Sequence, residues 1–131
     1  MKKILLYLWQ LPQNILGLAL VLFYKYYYGC YNYQNREDIK YYFSSGMPSG
    51  ISLGRYIILD DIYPLDDDDS KHEFGHTKQS KRLGWLYLLI IGLPSLLGNI
   101  YSRIFNKNSK WYYNQPWEKW ADKLGEVKRN Y

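Results

Sequence analysis

A length of 131 residues bounds the chain to a single domain, 1–131, whose core is feasible but not large. A net charge of +5 without any long basic run excludes a nucleic-acid-binding tail. A single cysteine, Cys30, excludes an internal disulfide. The 16 tyrosines and 5 tryptophans are more telling, because such rings favour sites that are apolar at one end and wet at the other, membrane interfaces among them. A plain compositional bias toward tyrosine is the alternative.

Residues 4–24 carry no charge and follow Lys2 and Lys3. Their length fits a membrane span, but Gln10, Pro12, Gln13 and Asn14 interrupt the run. A signal anchor, an interfacial helix and a buried core helix all stay open. Apolarity favours membrane contact for residues 1–28. The next stretch, 29–50, is polar and aromatic and ends in the turn cluster Gly46-Met47-Pro48-Ser49-Gly50. Ile51 to Leu59 is rich in β-branched and aromatic residues around Gly54, which predicts a strand or hairpin. Asp60, Asp61 and Asp66 to Asp69 then form an acidic patch. It lacks the ligand spacing of a calcium loop and suits a solvated segment that starts a helix.

The sequence Lys71-His72-Glu73-Phe74-Gly75-His76 contains H-E-x-x-H and uses the only two histidines in the chain. On a helix over 70–83, His72 and His76 stand on one face, one turn apart. Two imidazoles so placed can hold one zinc ion, with Glu73 as a general base toward a zinc-activated water. The competing reading is a capping box. Ser70-Lys71-His72-Glu73 fits S-x-x-E, with Glu73 reaching back to the Ser70 N–H.

A second apolar, charge-free stretch runs over 83–102, broken by Gly92, Pro94 and Gly98. After a polar loop over 106–115, Pro116 suits the first turn of a last helix and Gly125 its end. That helix carries Glu118-Lys119-Trp120-Ala121-Asp122, in which Glu118 and Asp122 share a face. Catalytic zinc takes three protein ligands and keeps a fourth position open. Glu118 is a suitable third ligand, and Asp122 a partner that orients a ligand imidazole. The bland alternative is an exposed amphipathic helix with an incidental carboxylate pair. If His76 and Glu118 share one metal, the stretch between them cannot cross a membrane once. It is then a re-entrant hairpin bent near Gly92-Leu93-Pro94, an interfacial segment or a core helix.

HEFGH followed by EKWAD resembles the gluzincin pattern, and the E-x-x-A-D form is similar to the M48 family of membrane-associated zinc endopeptidases. The resemblance covers two short motifs and their order. It implies His72, His76 and Glu118 as zinc ligands, Glu73 as general base and Asp122 behind a ligand. It also implies a strand beside the zinc helix whose edge receives substrate. The expected fold is therefore α+β: a minimal gluzincin-like domain with a strand or hairpin beside the HExxH helix, a later Glu-bearing helix and apolar membrane-contacting helices. The zinc-site region is 51–125, with an apolar hairpin at 83–102. Tyr112, Tyr113 and Arg103 are candidate oxyanion donors by their position near Glu118.

The expected function is a small membrane-associated zinc metalloprotease. It hydrolyses peptide bonds with a zinc-activated water and Glu73, acts on a peptide or protein, contacts membrane lipid, and resides at a bacterial inner membrane. The alternatives are a zinc-stabilised membrane module without catalysis and a membrane adaptor without metal. The sequence sets neither the substrate nor the oligomeric state.

Overall fold

A computed structural model describes residues 2–36, 38–45, 50–60 and 68–128. The order is α1 (Lys2–Trp9), α2 (Leu11–Tyr27), β1 (Tyr31–Arg36), β2 (Ile39–Phe43), β3 (Ile51–Leu53), β4 (Tyr56–Leu59), α3 (Asp68–Leu83), α4 (Leu93–Ile104), α5 (Ser109–Tyr113) and α6 (Pro116–Leu124). The fold is α+β, as the sequence predicts. The strands form one sheet in the order β1-β2-β4-β3. β1 and β3 are its edges; β2 and β4 pair in parallel, and the two outer pairings are antiparallel.

Aromatic and β-branched residues fill the two central strands, which suits a pleated, buried surface. Both faces of these strands are covered. Ile39, Tyr41, Phe43, Ile57 and Leu59 meet Phe74 of α3 on one side. Tyr42, Tyr56 and Ile58 meet Val21 of α2 on the other. A strand buried on both faces loses its alternation, so β2 reads Ile-Lys-Tyr-Tyr-Phe without a polar face. That is why strand β2 is not visible in the tyrosine-rich stretch 29–50, while β1 is an edge strand whose asparagines and lack of β-branched residues hide it. The expected hairpin over 51–59 is present as β3 and β4, joined through Gly54 at φ +63°. The Gly46–Ser49 part of the turn cluster and Asp61 to Asp67 of the acidic patch lie outside the described residues.

The polar residues of the N-terminal segment are not interruptions but docking groups. Gln10, Gln13 and Asn14 are fully buried. The Gln13 amide donates to Ser80 Oγ and to the Gly84 carbonyl, each at 2.8 Å. The Ser80 hydroxyl donates to Gln10 Oε1 at 2.5 Å. Asn14 donates to the Tyr7 carbonyl at 2.9 Å and accepts the Arg55 N–H at 2.7 Å, tying α2 to the β3–β4 turn. The apolar side chains of the same helix point outward: Ile15, Leu16, Leu18, Leu22 and Phe23 are exposed.

α3 ends at Gly84, whose φ of +57° is the left-handed value that closes helices. A short 3-10 turn, Gly84–Leu86, and a π-helical stretch, Leu88–Gly92, lead into α4. Ser70–Leu86 and Leu88–Ile104 meet at 119°. The bend therefore falls within Gly84 to Leu88, not at the expected Gly92-Leu93-Pro94. Pro94 is the second residue of α4, and the helical backbone reaches it unbroken from the π-helical stretch, where the Leu93 N–H donates to the Leu88 carbonyl. The expected polar loop over 106–115 contains a short helix, α5, capped by Asn108, whose side chain accepts the Trp111 N–H at 2.9 Å. No single helix among the described residues is long and apolar enough to cross a membrane, although the bent pair passes that test together.

Candidate metal centre

α3 begins at Asp68 and holds Ser70 inside the helix, buried. A capping box needs Ser70 at the N-cap, so that competing reading fails. The helix instead presents His72, Glu73 and His76 inward. Their ligand atoms lie within 4.8 Å of one another, close enough to hold a metal ion. Gly75 brings α6 onto this face, because any Cβ there would overlap the Ala121 carbonyl. Gly125 does the same opposite the Lys71 carbonyl. The two helices thus touch backbone to backbone, and α6 delivers Glu118 and Asp122 to the histidines.

Each histidine is locked through its Nδ1. His72 Nδ1 is 2.7 Å from Asp122 Oδ1, and His76 Nδ1 is 2.6 Å from Gln79 Oε1. Gln79 is held in turn by donating to the Trp117 carbonyl at 2.9 Å. With Nδ1 as the donor, each ring turns its Nε2 lone pair the other way. Both Nε2 atoms converge on Glu118 Oε1, at 3.7 Å for His72 and 3.1 Å for His76. Ligands on a tetrahedral zinc at 2.0–2.2 Å stand about 3.3–3.5 Å from each other. The observed separations straddle that value.

The electrostatics ask for a cation. Glu118 is fully buried, Glu73 and Asp122 are nearly so, and the two imidazoles lie among these three carboxylates. Burial alone would lower the basicity of His72. Hydrogen bonds to Asp122 and Glu118 and the charge of Glu73 outweigh it and raise the His72 pKa to about 9. Burial would likewise raise Glu118, but the hydrogen bonds and charges of His72 and His76 hold it well below the ordinary carboxylate range. A proton on His72 occupies the role that a metal ion would take.

This gives a pH signature for the metal-free protein. The ordinary imidazole value is 6.5 and the folded value is about 9. The stabilisation is fully present below 6.5 and is lost as pH rises through 9. Denaturant unfolding of the metal-free chain should lose stability on the order of 3 kcal/mol between these limits. Metal must displace the same proton, so metal affinity should climb with pH over the same window. A metal-free stability that rises across it would contradict the assignment.

Two residues without a sequence signal complete the shell. Ser95 of α4 donates to Glu118 Oε1 at 3.0 Å. Its single proton is then committed, so the Tyr112 hydroxyl, 3.0 Å away, donates to Ser95. Gln79 is the other, and only its place two turns after His72 hints at a role. Among the candidate oxyanion donors, Tyr112 and Arg103 line the cavity beside Glu73 and His76. The Tyr113 ring instead packs edge-on against His72, with centroids 4.9 Å apart. Tyr87 is a phenol on the cavity wall that carries no signal in the sequence. Burial, followed by the charge of Glu73, pushes its pKa well above the ordinary value; burial and the charge of Glu118 do the same for Tyr112. Both phenols keep their protons and remain donors.

The cavity measures about 290 Å³. Gly50 and β3 form one wall, α4 another, and Leu20 and Tyr24 of α2 reach in from the side. Compared with known proteins, the chain matches no family model, no curated protein and no solved structure.

Proposed function

We propose that the protein is a small membrane-associated zinc metallopeptidase of the gluzincin type, similar in its two motifs to the M48 family. One observation carries this reading. Two imidazoles, each fixed through Nδ1, turn their Nε2 atoms onto one fully buried carboxylate at near-tetrahedral spacing. The donor set of His72, His76 and Glu118 suits zinc, which takes nitrogen and oxygen ligands and leaves a position open in catalytic sites. A bound zinc ion supplies Lewis acidity, activating water and polarising a carbonyl.

The chain's own residues do the rest. Glu73 faces the cavity from the turn that holds the histidines and accepts a proton from the attacking water. It then returns the proton to the leaving amine. Tyr87, whose hydroxyl meets the Ser52 carbonyl only at 3.4 Å, supplies the hydrogen bond that a developing oxyanion needs. The edge strand β3 pairs with an extended peptide, while Ile51 and Leu53 offer apolar contact.

Membrane contact is supported by helices that are inside out. α2 buries Gln13 and Asn14 and exposes Leu16, Leu18 and Leu22. α4 turns Ser95 and Asn99 inward and exposes Leu93, Leu96, Leu97, Ile100 and Ile104. A helix bathed in water on its outer face has the opposite pattern. Contiguous exposed apolar surface of this kind fits a lipid interface. Trp9 and Trp85, both exposed, donate across the α1–α3 contact to the Lys81 and Leu8 carbonyls. Indoles suit the headgroup level. Peptide hydrolysis by the zinc-loaded chain, compared with Glu73→Gln, tests the catalytic reading. Metal binding with no hydrolysis in either would leave a zinc-stabilised membrane module instead.

A further inference from the structure

The polar face of α4 continues beyond the metal centre. Ser95, Asn99 and Arg103 follow at four-residue spacing, so they share one side of the helix. All three line the cavity that contains Glu73 and His76. Ser95 anchors one end of this stripe by its bond to Glu118. Arg103 stands at the other end, eight residues on, which is about 12 Å along the helix axis. Its Nε donates to Asn99 Oδ1 at 2.8 Å, so the side chain leans back one turn toward the site. That bond fixes the plane of the guanidinium and leaves its Nη groups for an outside acceptor. Among the described residues no carboxylate pairs with Arg103, and no other Lys or Arg lines the cavity. β3, Leu20 and Tyr24 line the same cavity. Its lining therefore carries one oriented guanidinium, solvent-exposed and one helical turn beyond Asn99.

Given the peptidase reading, on which this assignment rests, we infer that Arg103 is a specificity-determining residue that binds a carboxylate of the substrate. An acidic side chain and a free C-terminus both supply that group. A planar guanidinium accepts either as a bidentate partner. The guanidinium stands roughly 6–12 Å from Ser95 along α4, given its backward lean. An extended peptide advances about 3.3 Å per residue. The recognised carboxylate thus lies about two to four residues from the cleaved bond. At that distance Arg103 is a poor oxyanion donor, which leaves that role to Tyr87.

The test uses the full chain with zinc in neutral-lipid nanodiscs, in the Glu73→Gln background so that ligands stay intact. A mixed decapeptide library is bound, and the retained fraction is read by mass spectrometry. Matched peptides with Glu or Gln at one position, and with a C-terminal acid or amide, separate the two carboxylate sources. The acidic member of one pair should bind about five- to tenfold more tightly at low salt, with the margin shrinking as salt rises. Arg103→Gln should remove the preference at unchanged zinc content. Arg103→Glu should shift it toward lysine. Equal binding of acidic and neutral peptides, a preference that survives Arg103→Gln, or no peptide retention at all would overturn the assignment. So would an Arg103→Gln chain that keeps its peptide preference but loses adsorption to anionic vesicles, which would make Arg103 a lipid-headgroup contact. The two readings fail separately. A charge preference in a chain whose parent cleaves nothing defeats the hydrolase reading alone. Cleavage without charge preference defeats the Arg103 assignment alone.

Discussion

Replacing Glu73 by Gln is expected to lower peptide hydrolysis by about a thousandfold while leaving one bound metal per chain. Glu73 is buried on the same helical turn as His72, lines the cavity, and brings a carboxylate oxygen within 4.8 Å of both imidazoles. Glu118 stands 3.1 Å from His76 Nε2 and is the carboxylate assigned to the metal. An amide of the same shape leaves the packing and the ligands intact but cannot take a proton. Elemental analysis and turnover on a fluorogenic peptide separate the two effects. Hydrolysis at the wild-type rate would defeat the proposed base, and loss of metal would make Glu73 a ligand.

Gly75→Ala is expected to disable the site from outside it. The added methyl would run into the Ala121 carbonyl. Backbone cannot swing aside as a side chain can, so α6 must move away from α3. Overpacking of this kind costs about 1–3 kcal/mol in stability. The functional loss should be larger in proportion, because Glu118 and Asp122 flank Ala121 and would both withdraw from the histidines. Loss of an orienting partner alone lowers metal affinity about 10- to 100-fold, and here a ligand moves as well. Gly98→Ala is the control, since its Cβ meets only ordinary contacts near 4 Å with Trp117 and Tyr112. Competition with a chromophoric zinc chelator reads the difference. Equal zinc affinity in Gly75→Ala and wild type would show that the α3–α6 contact does not set the site.

The sequence carries the centre of this site and little of its surroundings. H-E-x-x-H and E-x-x-A-D are local patterns, and helical spacing alone puts His72 with His76, and Glu118 with Asp122, each on one face. That the two pairs meet depends on Gly75 and Gly125, whose role is visible only when the helices cross. Ser95 and Gln79 belong to no motif; they are ordinary polar residues until the fold aims them at Glu118 and His76. Gln10, Gln13 and Asn14 read as flaws in an apolar run because their partners, Ser80, Gly84 and Arg55, lie more than 40 residues away. Composition points to a bend at Gly92–Pro94. It falls earlier because Gly84 takes a left-handed backbone, while the helical backbone continues from Leu88 through Gly92 to Pro94. Strand β2 is unreadable for the reason that makes it stable: burial on both faces erases the alternation that marks a strand, whereas β1 is hidden by its asparagines and its lack of β-branched residues.

Anomalous diffraction at the zinc edge, from crystals of the chain grown with zinc, tests the central claim most directly. The predicted result is one strong peak per chain within about 2.0–2.2 Å of His72 Nε2, His76 Nε2 and a Glu118 carboxylate oxygen, with Asp122 and Gln79 still on the two Nδ1 atoms. A peak that omits Glu118, or zinc bound away from both histidines, would contradict it.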